Sequence, residues 1–221
     1  DEKTKVYGAA NPTLTFQYNG FLNGDNKSDL TTAPVASTTV DGTTEVGSYD
    51  GAISLSGGMD DNYSFNFVPA AFEVTKAVLT VTADSKTKVY GAANPTLTIK
   101  YSGFLNGDNN TDLTTEPIPS TSVDGTTAVG TYDDAITLSG GMDDNYSFNF
   151  VAGAFTVTKA VLTATADEKT KVYGAANPTL TFKYSGFLNG DNNTNLTTEP
   201  IPNTSVDGTT AVGSYDNAIR L

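Results

Sequence analysis

Acidic side chains carry the clearest chemical pattern in the sequence. The segment Asp108–Asp112 matches the first five positions of a calcium-binding loop, in which oxygen ligands alternate with other residues. The sixth position, which requires Gly, is Leu113, and the twelfth, which requires Glu, is Pro119. A related segment nearer the N-terminus places Lys27 where a ligand is needed. We therefore expect a capped helical turn, with Asp108 as its N-cap, and not a calcium loop.

Five other carboxylates are candidates for calcium coordination near the junctions between structural units. Asp60 and Asp61 lie in a Gly-Gly-Met-Asp-Asp-Asn-Tyr turn, Asp143 and Asp144 lie in its second occurrence, and Asp84 follows a predicted strand. Hard oxygen ligands on turns suit calcium. The alternative, which we favour, is a solvated acidic turn that keeps the protein soluble. The sequence thus predicts no required cofactor and names calcium as the candidate metal.

Residue types exclude several catalytic chemistries. The 221 residues include no His and no Cys, so imidazole-dependent triads, thiol nucleophiles, disulfides and Cys/His zinc sites cannot form. Small β domains offer little depth in which two carboxylates could share acid–base work. We predict that the protein is not an enzyme. A Lys–Asn cross-link through Lys86 or Lys88 is disfavoured, because we expect both lysines on an exposed strand face.

The charge balance limits the possible partners. The chain has 12 basic and 25 acidic residues, which gives a net charge of -13. Nucleic acids and anionic membrane surfaces attract clusters of Lys and Arg. No apolar run approaches the roughly 18 residues that a membrane-spanning helix needs. We predict no nucleic-acid binding and no membrane insertion. No secretory leader is visible, so we expect a segment of a longer chain.

The candidate residues belong to an internal repeat of 83 residues. The string KTKVYGAANPTLT begins at Lys3, Lys86 and Lys169, and copies 1–83 and 84–166 are identical at 65 of 83 positions. Catalytic domains are seldom duplicated in tandem, so the repetition itself favours a structural array over an enzyme.

The strand pattern sets the boundaries of the structural repeats. Ala77–Ala83 alternates apolar and polar residues and is assigned as an opening strand. The predicted domains are therefore 1–75 (repeat 1), 76–158 (repeat 2) and 159–221 (repeat 3). Repeat 1 lacks its opening strand and repeat 3 lacks its closing hairpin. Either the protein continues in both directions, which we favour, or neighbouring molecules fill the gaps.

Each repeat is predicted to be mostly β, with about five short strands and one helical turn. The expected features of repeat 2 are an inward face of Leu97, Ile99 and Tyr101, a non-central segment Pro117–Pro119, a buried aromatic stripe of Tyr146, Phe148 and Phe150, and a closing hairpin from residues 146–150 and 155–157.

Several short motifs of repeat 2 occur together in a recognisable order. They are Lys88–Gly91, Gly103–Asp108, Val129–Tyr132, Asn145-Tyr146 and Phe155–Lys159. In this order and spacing they resemble the MBG domain of the YGX type. The resemblance implies a "mostly beta grasp" fold, ββ, short helical turn, βββ, with the first and last strands side by side and parallel. It also implies long tandem arrays in secreted, adhesin-like proteins of the bacterial cell surface, and it supplies no catalytic residues.

The predicted function is a non-catalytic stalk or spacer segment of a large secreted bacterial cell-surface protein of the adhesin type. The closing strand Phe72–Thr75 passes through Lys76 into the next opening strand without a flexible linker, so neighbouring repeats of the chain are the expected partners. The alternative is a weak, multivalent binding module for a glycan or host protein, stiffened by calcium at the junctions. The sequence identifies no host or matrix ligand.

Overall fold

The computed structural model describes all 221 residues and consists of short β-strands and three 3₁₀ turns. Each turn has three residues, so no helix of the structure could cross a membrane. The predicted mostly-β class is confirmed. The strands are β1 (Lys3–Val6), β2 (Thr32–Thr38), β3 (Gly47–Met59), β4 (Ala70–Thr75), β5 (Ala77–Ala83), β6 (Lys86–Val89), β7 (Ile99–Ser102), β8 (Thr115–Thr121), β9 (Gly130–Met142), β10 (Tyr146–Val151), β11 (Gly153–Thr158), β12 (Thr163–Ala166), β13 (Phe182–Ser185), β14 (Asn203–Thr204) and β15 (Ile219–Arg220); the turns are Lys27–Asp29, Asn110–Asp112 and Asn193–Asn195.

The chain divides into two compact units. The first unit contains Asp1–Asp84, Leu97–Thr121 and Ile136–Gly153, and the second contains Ser85–Thr96, Ser122–Ala135 and Ala154–Leu221. Repeat 2 contributes residues to both units. The repeat boundaries at 75/76 and 158/159 stay a prediction from the sequence.

Two parallel strand pairs organise the first unit. One sheet has the order β1-β4-β3-β2, in which β1 runs parallel to β4 while β3 is antiparallel to both β2 and β4. The other sheet has the order β10-β5-β7, in which β5 runs parallel to β10 and antiparallel to β7. The opening strand of repeat 2, β5, thus pairs in parallel with β10, whereas the last strand of the repeat, β11, pairs in parallel with β6, so the expected parallel pairing is present but does not join the first strand to the last.

The second unit repeats the parallel arrangement. Strand β6 pairs with β11 in parallel, with Lys86 opposite Phe155. The antiparallel pairs β12-β13 and β14-β15 belong to repeat 3. In the first unit, β8 pairs with β9 in antiparallel orientation and lies at the edge of its sheet. The segment Pro117–Pro119 therefore avoids a central position, as predicted, because proline has no backbone N–H to donate to a neighbouring strand.

The predicted closing hairpin is wrong. Strands β10 and β11 do not pair with each other; β10 pairs with β5 and β11 pairs with β6, both in parallel. The Ala-Gly-Ala segment between the two predicted strands therefore bends the chain without reversing it. A Cβ on Gly153 would lie 2.6 Å from the carbonyl oxygen of Ala83, so the glycine permits a close approach of backbones and does not mark a tight turn.

The core of the first unit combines strands of repeats 1 and 2. Leu79 and Val81 of β5 are fully buried, and Phe72 and Val74 of β4 belong to the same cluster. The predicted inward face is confirmed for Ile99 and Tyr101, which pack against this cluster, whereas Leu97 is half-buried and does not belong to it. The predicted aromatic stripe is only partly correct: Tyr146 is 3% exposed and Phe148 is half-buried, whereas Phe150 at the end of β10 is 38% exposed.

Neighbouring residues of β5 provide a direct test of this core. Leu79 is 0% exposed and Val78 is 62% exposed. We predict that Leu79→Ala lowers the free energy of unfolding of the first unit by about 2–5 kcal/mol, because it leaves a cavity among buried side chains. Val78→Ala should cost about 1 kcal/mol or less, through β propensity alone. Urea titration followed by tyrosine fluorescence measures both. Equal losses would contradict the assigned strand face.

Candidate functional site

Tyr146 lies at the centre of an aromatic cluster in the first unit. Its position follows from β10, where Tyr146 stands opposite Ala77 of β5. The ring of Tyr7 meets the ring of Tyr146 edge-on, with centroids 5.6 Å apart and planes at 82°, and Phe104 does the same at 5.5 Å and 83°. Edge-to-face contacts of this kind add to the stabilisation that burial itself provides. The cluster thus joins one residue of repeat 1 to two residues of repeat 2.

The Asp108 carboxylate links the two tyrosines through hydrogen bonds. Its Oδ2 atom accepts one from the Tyr146 hydroxyl at 2.7 Å and one from the Tyr7 hydroxyl at 3.1 Å. Hydrogen bonds to an ionised acceptor are stronger than those between neutral groups. The Tyr146 oxygen also accepts a hydrogen bond from the backbone N–H of Leu105 at 2.8 Å, so the hydroxyl group acts both as a donor and as an acceptor.

The prediction that Asp108 caps the helical turn is wrong, although the capped turn itself is confirmed. Asn109 is the N-cap, and its Oδ1 accepts from the backbone N–H of Thr111 at 3.0 Å. Asp112 completes a capping box by accepting from the backbone N–H of Asn109 at 2.8 Å. Leu113 follows the turn and is buried, as expected. Because Asn109 meets the capping requirement, Asp108 can bind the tyrosines.

The electrostatics of the cluster keep both phenols protonated. Burial raises the pKa of Tyr146, the Leu105 N–H lowers it, and the Asp108 carboxylate raises it again, so the pKa lies well above that of an exposed tyrosine. A hydrogen bond with Asn106 lowers the pKa of Tyr7, but burial and Asp108 together outweigh it and raise the pKa. A protonated phenol is the state that can donate to a carboxylate.

Further polar contacts surround the cluster in the first unit. Two of them join residues of repeat 1 to residues of repeat 2 across the aromatic contact, and a third lies within repeat 2. They are Asn106 Nδ2 donating to the Gly42 carbonyl at 3.0 Å, the Val46 N–H donating to Asn145 Oδ1 at 3.0 Å, and Lys76 Nζ, from the start of repeat 2, donating to the carbonyl of Asp143 in the same repeat at 2.6 Å. The first two bonds fix the turn of one repeat against the turn of the next.

Gly8 allows the two repeats to approach closely. Its φ is +75°, and a Cβ built on it would lie 2.7 Å from Leu105 Cδ1. Leu105 precedes the Asn-Gly-Asp segment that carries Asp108. The Tyr-Gly pair of repeat 1 therefore packs against the Leu-Asn-Gly-Asp segment of repeat 2: the tyrosine supplies a hydrogen bond, and the glycine supplies space.

The second unit contains the same contact between repeats 2 and 3. The Tyr90 hydroxyl donates to Asp191 Oδ2 at 3.1 Å, and Asn189 Nδ2 donates to the Gly125 carbonyl at 2.7 Å. Gly91 has a φ of +79°, and a Cβ on it would lie 2.6 Å from Leu188 Cδ1. We call this arrangement, in either unit, the repeat contact. The sequence contains both motifs of the repeat contact, Tyr-Gly and Leu-Asn-Gly-Asp, but no local pattern indicates that they meet between repeats.

Two of the predicted calcium ligands accept hydrogen bonds from backbone N–H groups of the protein itself. Asp60 accepts from the backbone N–H groups of Asn62 and Thr31, and the Asn62 N–H is the main cause of its lowered pKa. Asp143 is buried and its Oδ1 accepts from the N–H groups of Asn145 and Tyr146 at 2.8 and 3.0 Å. These two residues hold turns together, through hydrogen bonds that a carboxylate makes well.

The remaining calcium candidates do not form a common site either. Asp84 pairs with Lys100, whose Nζ lies 2.7 Å from its Oδ1, and accepts from the Thr98 hydroxyl at 2.6 Å. Asp61 and Asp144 are exposed on their turns. Nowhere does the structure gather three or more acidic side chains that could hold a metal ion. The proposed calcium ligation thus stays a prediction.

The expectation that Lys88 is exposed is wrong. Lys88 is 6% exposed, and its Nζ donates to the carbonyl oxygens of Ala92, at 3.2 Å, and Asp124. Lys5 makes the equivalent bonds to Ala9 and Asp41. The flexible side chain carries its charge to loop carbonyls that replace water, which offsets the cost of burial. Strand periodicity cannot reveal such a contact, because the acceptors are backbone atoms of loops, one of which lies 36 residues away.

The fold and the repeat contact define an array of mostly-β repeats that pack on one another in sequence. A family model described as MBG domain (YGX type) matches the chain three times, over residues 1–73, 79–156 and 162–221. The chain belongs to this family, and the resemblance inferred from its motifs is confirmed. No curated protein and no solved structure matches the chain.

Two equivalent glycines allow the energetic cost of disturbing the repeat contact to be measured separately from the cost of backbone strain. Gly8 and Gly174 occupy the same position of the repeat with φ values of +75° and +80°, but nothing lies within 4 Å of a Cβ on Gly174. We predict that Gly174→Ala costs about 1–2 kcal/mol of unfolding free energy, from the left-handed backbone alone. Gly8→Ala should cost about 1–3 kcal/mol more, because its methyl group displaces Leu105. Thermal or urea unfolding measures the difference, and equal costs would refute the close contact.

The raised pKa of Tyr146 predicts a loss of stability at alkaline pH. The folded-state pKa lies above the unfolded value of about 10, so this contribution is complete below pH 10 and declines as the pH rises further. The expected slope from one such group is about 1.4 kcal/mol per pH unit. Urea unfolding between pH 8 and 12 should show a shallower decline for Tyr146→Phe. Tyr132→Phe, which removes a hydroxyl bonded to the Ala128 carbonyl, should retain the wild-type decline.

Proposed function

We propose that the chain is a non-catalytic structural array that forms a stalk or spacer segment of a large secreted bacterial cell-surface protein of the adhesin type. The observation that carries this proposal is the repeat contact. In the first unit, Tyr7 of repeat 1 and Tyr146 of repeat 2 share one acceptor, Asp108, within one hydrophobic core. Residues that hold successive repeats together are what a spacer requires.

The covalent connection supports the same role. Strand β4 ends at Thr75, β5 begins at Ala77, and Lys76 alone separates them. Ala77 is buried, and its N–H donates to the carbonyl of Asn145 at 2.9 Å. A connection of one residue, fixed on both sides by strand pairing, leaves little freedom for a hinge. Neighbouring repeats of the same chain are accordingly the partners we propose.

The parallel strand pairs suit a segment under tension. Tension along the chain acts along β1 and β4, or β5 and β10, which lie side by side and parallel. Separation of such a pair requires its hydrogen bonds to break together and not one after another. The membership of the chain in a repeat family supports the proposed location outside a bacterial cell, and the lack of cysteine is compatible with it. The acidic character of the chain argues against nucleic acid as a partner.

Single-molecule force spectroscopy on the 221-residue chain tests the spacer function. The chain is held between α-helical handle domains and pulled from its ends. We expect the first unit to unfold in one event, at a force clearly above that of the helical handles, because parallel pairs resist shear. Asp108→Asn weakens the hydrogen bonds from both tyrosines and should lower this force, whereas Asp216→Asn, an exposed acidic residue of repeat 3, should not.

The same recording in calcium and in chelator separates a passive spacer from calcium-stiffened junctions. We expect equal unfolding forces in both buffers. A higher unfolding force in calcium than in chelator would indicate that calcium binds to the chain. The candidate ligands would then be Asp60, Asp61, Asp84, Asp143 and Asp144. Unfolding at or below the force of the handles in both buffers would contradict a load-bearing role.

A further inference from the structure

The repeat contact of the first unit includes the dipeptide Asn106-Gly107, which forms the centre of a tight turn. The turn is closed by a hydrogen bond from the Asp108 N–H to the Leu105 carbonyl at 2.9 Å. Its two central residues have φ values of +55° and +90°, as a type I′ turn requires. Asparagine followed by glycine is the pair that this turn favours, so the backbone accounts for both residue types.

The same dipeptide has the chemistry of a deamidation site, since asparagine is among the thermolabile residues of proteins. The backbone nitrogen of Gly107 attacks the side-chain Cγ of Asn106, the Cγ–Nδ2 bond breaks, and the amide leaves as ammonia with the proton of the attacking nitrogen. Water then opens the five-membered imide at either of its carbonyl carbons, which yields aspartate or isoaspartate. A glycine in the second position favours the attack, because it has no side chain to shield the nitrogen.

The surroundings of the turn leave the attacking nitrogen open but hold the group that must leave. Both residues of the dipeptide are exposed, and no atom beyond its chain neighbours lies within 4 Å of a Cβ built on Gly107. Asn106 Nδ2 donates to the Gly42 carbonyl of repeat 1 at 3.0 Å, and the same side chain is hydrogen-bonded to Tyr7. Departure of Nδ2 as ammonia requires the first bond to break, and rotation of the side chain requires both to break.

The second unit repeats this arrangement between repeats 2 and 3. Asn189 and Gly190 have φ values of +55° and +83°, and no atom beyond its chain neighbours lies within 4 Å of a Cβ on Gly190. Asn189 Nδ2 donates to the Gly125 carbonyl at 2.7 Å. In both units, the amide that deamidation removes is therefore the group that one repeat donates to the preceding repeat.

We propose that Asn106 is a deamidation site that the repeat contact keeps unreacted, and that reaction there weakens the contact permanently. The product carries a carboxylate where the contact needs an amide donor. The carboxylate faces the Gly42 carbonyl and lies in the same turn as Asp108, so a lost donor and charge repulsion both oppose closure of the contact. Isoaspartate also adds a methylene group to the backbone of the turn. This modification rests on the geometry of the repeat contact and does not require the spacer function.

Peptide mapping of the 221-residue chain by mass spectrometry tests the protection. The chain is kept at mildly alkaline pH with and without denaturing urea, and fragmentation locates each asparagine that has lost its amide. Because reaction in the folded chain needs a local opening, we expect Asn106 to react at least about tenfold more slowly without urea. In urea it should react faster than Asn109 and Asn110, whose following residues carry side chains. Equal rates at Asn106 in the two conditions, or no reaction of Asn106 in urea, would refute the proposal.

Two glycine variants show whether the repeat contact itself provides the protection. Gly8→Ala adds a methyl group that overlaps Leu105, and it should speed the reaction of Asn106 in the folded chain at least about fivefold. Gly57→Ala strains a left-handed residue of β3 that has no atom within 4 Å of its Cβ position, and it should leave this rate unchanged. Tyr7→Phe, which removes one of the two bonds but keeps the ring, is the milder variant and should also speed the reaction. Equal rates in all three variants would overturn the assignment of the protection to the repeat contact.

A substitution that imitates the product tests the consequence of the reaction. Asn106→Asp should lower the urea midpoint of the first unit, because it removes the donor and adds the charge. Asn19→Asp makes the same charge change at an exposed asparagine of repeat 1 outside the repeat contact, and it should leave the midpoint unchanged. Equal midpoints for the two variants would contradict a weakening of the contact by deamidation.

Discussion

The two hydrogen bonds that Asp108 accepts from Tyr7 and Tyr146 are the constraint on which the first unit depends. A carboxylate beside a hydrophobic core is costly unless donors replace its water, and here the donors come from two different repeats. Each tyrosine supplies one of the two hydrogen bonds, so both repeats contribute to the solvation of the carboxylate. The stability of each repeat is therefore coupled to its neighbour through a polar group, while the surrounding aromatic rings supply the apolar area that drives the packing.

Strand β10 forms where tertiary partners are present. Asp143–Val151 contains β10 because β5 offers a parallel edge and the ring of Tyr146 packs against Tyr7 of the preceding repeat. Strand formation here thus depends on tertiary partners as well as on local propensity. An array of this kind gains stability by adding neighbours, as repeat proteins do when each unit buries the face of the next.

Much of the fold was predictable from alternation and from residues with restricted backbones. The apolar face of Leu79 and Val81 follows from a period of two, and the edge position of Pro117 follows from its missing donor. The incorrect predictions share one cause, which is that the deciding contacts come from residues far away in the chain. The buried Lys88 ammonium group donates to the carbonyl of Asp124, and Gly153 is needed because the Ala83 backbone passes close to it. Neither partner is near in sequence, so no local pattern could indicate them.

The Tyr-Gly motif shows the same limit at the candidate site. Gly8 and the Ala-Ala-Asn-Pro that follows lie in a turn, in which the Ala9 N–H donates to the Val6 carbonyl at 3.0 Å. The turn alone does not account for the absence of a side chain, because left-handed asparagines, such as Asn106, also occur in this chain. The position of Leu105 does account for it, since any Cβ on Gly8 would overlap that side chain. The residue type at position 8 is therefore fixed by the following repeat, and the motif that marks the family describes how one repeat receives the next.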